Sequence, residues 1–243
     1  MKQSLYTVME NKMLAQDVWR MVLSGDTSAI TAPGQFINIQ LAGHFLRRPI
    51  SICDWDEKTI TIIYKVLGRG TKEMTAMGVG TVLDILTGLG NGFDTSLCGD
   101  KTLLIGGGVG VPPMYGTAKQ LLAEGKHPIT VLGFNSKADV FYEEEFRALG
   151  VETRIVTVDG SYGQKGFVSE ALGEDYDFFC ACGPVAMLKA VSDASTTTSG
   201  LLSFEERMGC GFGACVGCTC QTKYGNKRIC KDGPVLTKEE VVW

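Results

Sequence analysis

Apolar positions along the chain follow two rhythms. Through residue 98 they come in short runs bounded by turn residues. In residues 36–41, Phe36, Asn38 and Gln40 alternate with Ile37, Ile39 and Leu41. Such period-two alternation predicts a strand with one buried face. Residues 18–23, 60–66 and 82–86 read as further strands, separated by Ser24-Gly25-Asp26, Pro33-Gly34 and residues 54–58. Strands this short and evenly spaced predict a small barrel or sandwich. The only helical pattern in this half, residues 71–77, follows a glycine loop.

After Gly99 strands and helices alternate. Residues 101–105, 129–134, 154–158, 177–181 and 201–204 read as strands. A helical stretch ending at Glu124, then residues 140–149, 167–172 and 185–195, read as helices. That order predicts a parallel sheet covered on both faces. The remainder, 204–243, is rich in cysteine and glycine and too short for its own apolar core, so it needs a staple. Three units are expected: 1–98, 99–203 and 204–243.

Composition narrows the class. The chain has 243 residues, 44% hydrophobic and 21% charged, which excludes disorder, collagen and extended coiled coil. A net charge of −4 argues against a nucleic-acid partner. No apolar run reaches the roughly 18–20 residues of a membrane helix. The polar N-terminal string MKQSLYTVMENK lacks a signal-peptide core, so a cytoplasmic location is expected. Nine cysteines are many for a reducing compartment, and five lie between Cys210 and Cys230, which points to metal. The two histidines, His44 and His127, lie far apart, unlike the pair a Rieske centre requires.

Cys210, Cys215, Cys218 and Cys230 give C-x4-C-x2-C-x11-C, the ligand order of plant-type [2Fe–2S] centres. The glycines and Ala214 around them let backbone N–H groups curl toward cluster sulfur. A structural zinc site is the alternative, although only one C-x2-C knuckle fits it. Cys220 breaks the spacing and reads as a buried packing thiol.

Two patterns in the first unit suit a flavin nucleotide. Arg48-Pro49-Ile50-Ser51 opens a strand with a guanidinium able to grip pyrophosphate and a hydroxyl within reach of a flavin ring. Gly68-Arg69-Gly70-Thr71 opens a short helix whose free N–H groups favour phosphate. In the second unit, Gly106-Gly107-Gly108-Val109-Gly110 follows the first strand, where glycines let the backbone turn tightly against a dinucleotide. Cys182-Gly183-Pro184 ends the fourth strand, where ligands of parallel sheets sit. Cys182 is either a nicotinamide neighbour or a buried thiol. No acid closes the second strand, so NAD and NADP remain open.

Taken in order, RPIS, the G-x-G-T turn, GGGVGVPP, CGP and the cysteine cluster resemble the ferredoxin–NADP reductase superfamily. RRPISI, SFEERMGCGFGACVGCTC and ICKDGPV resemble, within it, the electron-transfer subunits of NAD-dependent (B-type) dihydroorotate dehydrogenase. The resemblance implies an FAD-binding antiparallel β-barrel at 1–98, an NAD-binding α/β domain at 99–203 and a [2Fe–2S] module at 204–243. It implies FAD contacts at Arg48, Pro49, Ile50, Ser51, Lys65, Val66, Leu67, Gly70 and Thr71. By superfamily analogy NAD would meet Gly106, Gly107, Gly108, Val109, Gly110, Cys182, Gly183 and Pro184. Cys210, Cys215, Cys218 and Cys230 would be the cluster ligands. The implied partner is an FMN-containing catalytic subunit that oxidises dihydroorotate in pyrimidine (UMP) biosynthesis, two copies of each. Electrons would pass from that FMN through the cluster and FAD to NAD+. No acid–base catalyst is expected, and Ser51 and Cys182 would be neighbours of the redox centres. Ile50 stands where the wider superfamily carries an aromatic, so its flavin stacking geometry does not transfer. The alternative is an NAD(P)H-dependent reductase serving another partner, such as ferredoxin or a hydrogenase. A zinc-stapled interaction protein is the rival from another class.

Overall fold

A computed structural model describes residues 1–243. Strands β1 (Lys2–Ala15), β2 (Val18–Ser24), β3 (Phe36–Ile39), β4 (Arg48–Trp55), β5 (Thr59–Lys65) and β6 (Val82–Leu89) form a closed barrel in the order β1-β2-β5-β4-β3-β6. Every pairing in it is antiparallel. The inward side chains of these strands, among them Tyr6, Met21, Ile37, Ile52, Ile62 and Tyr64, are buried in one cluster. Helix α1 (Arg69–Met74) adds Met74 to it.

Then follow β7 (Thr102–Gly107), α2 (Val111–Ala123), β8 (Ile129–Phe134), α3 (Glu143–Ala148), β9 (Glu152–Thr157), β10 (Gln164–Lys165), β11 (Phe178–Cys182), α4 (Val185–Ala194) and β12 (Gly200–Ser203). They build one sheet in the order β10-β9-β8-β7-β11-β12. Its strands are parallel. The central strands are apolar on both faces, as a sheet covered twice requires. Leu104, Leu132 and Cys180 pack with Met114 of α2 and Phe146 of α3. Leu103, Ile105, Val131, Phe179 and Ala181 pack on the other face with Leu188 and Val191 of α4.

The cysteine-rich segment adds a hairpin, β13 (Thr219–Thr222) and β14 (Gly225–Arg228), and a strand, β15 (Val235–Thr237). It has no separate core. Cys218, Ile229, Cys230 and Leu236 join the cluster under the sheet, together with Phe36 and Leu89 of the barrel.

Several elements differ from the expectation. β1 is an unforeseen strand, because Leu5, Met9 and Met13 are exposed and two register shifts break its alternation. The helix expected over 140–149 starts at Glu143, since Tyr142 takes a left-handed φ of 66°. The helix expected over 167–172 is a single 3-10 turn, Val168–Glu170. Residues 201–204, the final strand read from the sequence, are followed by a further strand, β15, which pairs antiparallel with β12 at the sheet edge.

Candidate redox site

Strand order in the sheet reverses between β7 and β11, which both end in glycine turns. Crevices for ligands open at the carboxyl ends of strands at such a switch point. Gly106 lies opposite Cys182 in the ladder. A Cβ on Gly110 would fall 2.1 Å from the Cys182 carbonyl oxygen, and one on Gly106 only 2.8 Å from the Val111 Cα. The turns therefore interlock only as glycine. Gly108, with φ +52°, has nothing within 4 Å of its would-be Cβ and lies open. Pro112 and Pro113 occupy the first turn of α2, where a missing N–H leaves no bond unmade.

These turns border a cleft of about 790 Å³ that runs to the barrel. From the nucleotide side Gly107, Gly108, Val109, Gly110, Cys182, Gly183 and Pro184 line it; from the barrel side, Pro49, Ser51, Lys65 and Leu67. Gly106 does not line it. Ser51 borders the cleft, and Phe36, its ladder partner, lines the wall beside it. Burial pushes the Cys182 thiol up to about 12, with the Glu205 charge adding and the Ser203 side chain opposing. Cys182 is thus a neutral wall at neutral pH.

Arg48, Ile50, Val66, Gly70 and Thr71 lie outside this cleft. Arg48 and Gly70 nevertheless meet: a Cβ on Gly70 would fall 2.4 Å from Arg48 Nε. The guanidinium donates to His44 Nδ1 at 2.6 Å, and His44 Nε2 contacts Glu73 Oε2 at 2.7 Å. Thr71 Oγ1 accepts the Leu67 N–H at 3.0 Å and shapes the turn. Val66 N–H bonds the Asp17 carbonyl at 2.8 Å. Ile50 packs against the barrel core.

The four thiols fall into two pairs, Cys210 with Cys215 and Cys218 with Cys230. The N–H groups of Phe212 and Ala214 reach Cys210 Sγ at 3.5 and 3.2 Å, and Cys230 N–H reaches Cys218 Sγ at 3.4 Å. Burial opposes ionisation of Cys210, but the N–H groups of Phe212, Cys215 and Ala214 and the Cys215 thiol outweigh it and bring Cys210 down to about 6. Burial and then the Cys218 thiol push Cys230 up to about 12. A coordinating thiol is held deprotonated by its metal, so these thiols form a donor set that iron would complete. Two thiol pairs in one segment, with the C-x4-C-x2-C spacing, suit a [2Fe–2S] centre. Gly211, at φ +80°, lets the loop touch the barrel: a Cβ there would meet Asn38 Nδ2 at 2.4 Å. Cys220, expected to be buried, is half-buried on β13.

Several lining residues were not foreseen: Phe36, Asn135, Asp139, Phe167, Glu205 and Glu206. For Asp139 a signal existed, the Ser136-x-x-Asp139 spacing of a capping box.

A cleft between barrel and nucleotide sheet, with a thiol loop seated on the barrel, defines a nicotinamide-linked flavoprotein reductase with an iron–sulfur module. The family described as iron-sulfur cluster binding domain of dihydroorotate dehydrogenase B matches residues 205–242, and the oxidoreductase NAD-binding domain matches 104–193. The dihydroorotate dehydrogenase B (NAD(+)) electron transfer subunit of Bacillus pumilus is 44% identical, covering 99% of this chain and 98% of its own. That of a Geobacillus species is also 44% identical, over 100% and 99%. The chain belongs to the family of electron-transfer subunits of NAD-dependent dihydroorotate dehydrogenase B. A solved NADH-dependent reduced ferredoxin-NADP oxidoreductase superposes with a TM-score of 0.89 at 29% identity, covering 99% of this chain and 90% of that one. The protein is an oxidoreductase electron-transfer subunit, and its cofactors are FAD, a [2Fe–2S] cluster and NAD. No helix is long and apolar enough to cross a membrane.

Proposed function

We propose that this chain relays electrons to NAD+ from dihydroorotate oxidised on a separate FMN-bearing catalytic subunit, in the cytoplasm, with two copies of each subunit. The observation that carries this reading is the paired-thiol loop seated against the barrel, in a chain that matches its relatives end to end. When bound, the cluster supplies one-electron transfer, the nicotinamide hydride transfer, and the flavin both. The residues hold and shield these groups. Cys210, Cys215, Cys218 and Cys230 ligate iron while backbone N–H groups offset charge on sulfur. Arg48, packed on Gly70, grips the flavin pyrophosphate. Ser51 offers its hydroxyl to the flavin ring across the cleft. Gly107 and Gly108 admit the dinucleotide backbone, and neutral Cys182 keeps charge away from the ring edge. No side chain acts as acid or base on a carbon substrate.

The test is dihydroorotate-dependent NAD+ reduction with the cognate catalytic subunit. Cys215→Ser should keep NADH-to-dye activity and abolish this coupled reaction. Equal loss of both, or no NAD+ reduction by the unaltered pair, would sink the reading. The likeness to a ferredoxin-linked reductase favours a second reading, for which NADH-dependent ferredoxin reduction without the catalytic subunit would speak.

A further inference from the structure

The residue that reads the adenosine ribose usually follows the second strand of a nucleotide-binding α/β unit. Here that strand is β8, and Asn135, Ser136 and Lys137 follow it without an acid. The fold brings one there by another route. Ser136 opens a 3-10 turn over Lys137–Asp139. Asp139 Oδ2 accepts both the Ser136 N–H, at 3.1 Å, and the Ser136 hydroxyl, at 2.8 Å. This fixes the carboxylate while Oδ1 keeps its acceptor capacity. Asp139 borders the same cleft as the Gly107–Gly110 turn.

The neighbouring cation is turned elsewhere. Lys137 donates its N–H to Ser161 Oγ at 2.8 Å, and its ammonium lies over the Tyr162 ring, 5.5 Å from the centroid. Among the residues lining the cleft, Lys65 is the only cation, and it belongs to the barrel wall; the acids are Asp139, Glu205 and Glu206. The turn also has little freedom to move. Gln16 N–H of the barrel bonds the Ala138 carbonyl at 3.3 Å, and left-handed Tyr142 is buried beside Cys53 and Arg20 of the barrel.

We propose that Asp139 selects NAD over NADP, its free Oδ1 accepting the 2′-hydroxyl of the adenosine ribose. A 2′-phosphate would bring a charge of about −1.5 to −2 against a fixed carboxylate with no cation beside it. This rests on the reading of the cleft as the dinucleotide site.

The test is calorimetric binding of NAD+, NADP+ and the 2′-deoxyadenosine analogue of NAD+ to the oxidised, cofactor-loaded protein, where no turnover occurs. The unaltered protein should bind NAD+ about tenfold or more tightly than either other ligand, as expected for one hydrogen bond to a charged group. Asp139→Ala should narrow the NAD+/NADP+ ratio by about tenfold. Ser136→Ala, which removes one of the two bonds that hold Oδ2 but keeps the carboxylate and the backbone N–H, should narrow the ratio by less than Asp139→Ala does. An unchanged ratio in Asp139→Ala would overturn the proposal. Should Asp139→Ala not fold, the unaltered protein decides: equal binding of NAD+ and its 2′-deoxy analogue overturns the assignment. Binding without 2′ discrimination overturns the role of Asp139 alone, whereas no binding of NAD+ overturns the reading of the cleft as well.

Discussion

Replacing Gly70 by alanine sets two effects against each other. Gly70 is buried in α1, and its φ lies outside the left-handed region. Alanine therefore suits the backbone and by helix propensity alone would stabilise by about 1 kcal/mol. The new methyl, however, would stand 2.4 Å from Arg48 Nε and 3.0 Å from Cζ and Nη2. The guanidinium must swing away and give up its 2.6 Å bond to His44. A hydrogen bond to a charged group contributes about 1.5–3 kcal/mol when fully desolvated. Arg48 is only half-buried, so this loss roughly offsets the propensity gain, and the flavin-free protein should melt near its original temperature. FAD binding has no such compensation. Losing the fork from the pyrophosphate should cost about 1.5–3 kcal/mol, or roughly 10–150-fold in Kd. Flavin fluorescence quenching reads the Kd, and thermal melts of the flavin-free chain read stability. In an Arg48→Ala background the clash is gone, so Gly70→Ala should become stabilising by about 1 kcal/mol. Unchanged FAD affinity in folded Gly70→Ala protein would refute the grip assigned to Arg48. Destabilisation persisting in the Arg48→Ala background would refute the clash.

Other outcomes follow from the same geometry. Gly110→Ala places a methyl 2.1 Å from the Cys182 carbonyl oxygen, so it should lower the melting temperature sharply and abolish NADH-driven flavin bleaching. Open Gly108→Ala should cost only the about 1–2 kcal/mol of left-handed backbone. Asn91 pairs through both amide atoms with Val235, donating to its carbonyl at 2.7 Å and accepting its N–H at 3.1 Å. Asn91→Ala strands two backbone groups of a buried residue, so unfolding should lose about 2–4 kcal/mol; a melting temperature lowered by less than about 3 °C would contradict this. The Cys182 thiol keeps its proton up to about 12 in the folded state, whereas an unfolded thiol releases it near about 8.5. Between those values the unfolded chain holds fewer protons, so stability falls as pH rises. Cys182→Ala should flatten that fall by up to about 1.4 kcal/mol per pH unit, and urea unfolding between pH 9 and 11 should register the difference.

The parts legible in the sequence were those where one local rule acts alone. Strand β8 is seen at its true limits because an unbroken apolar run between turn residues has few other readings. The iron–sulfur module is legible because ligand spacing is a local constraint. β1 was not, because its bulges shift the period and its outward methionines imitate a buried face. The start of α3 depends on Tyr142 taking a backbone state that packing against the barrel holds and residue type does not announce. The place of Asp139 on the cleft wall is not legible at the strand end, because a bond to Ser136 fixes it one turn later. The meeting of Arg48 with Gly70 needs the barrel to close, which no single segment can show.

Asn38 sits on β3 opposite Pro49 of the RPIS strand, and its amide donates to the Cys210 carbonyl at 3.1 Å. One buried side chain thus spans two stretches of chain that meet only after folding. The separation between the thiol loop and the RPIS strand is then an internal dimension of this subunit, set before any partner arrives. Tunnelling rates depend steeply on distance, so a partner can dock, release and dock again without resetting the inner gap. Wear at the outer surface would alter how often electrons enter, while their onward passage keeps its pace.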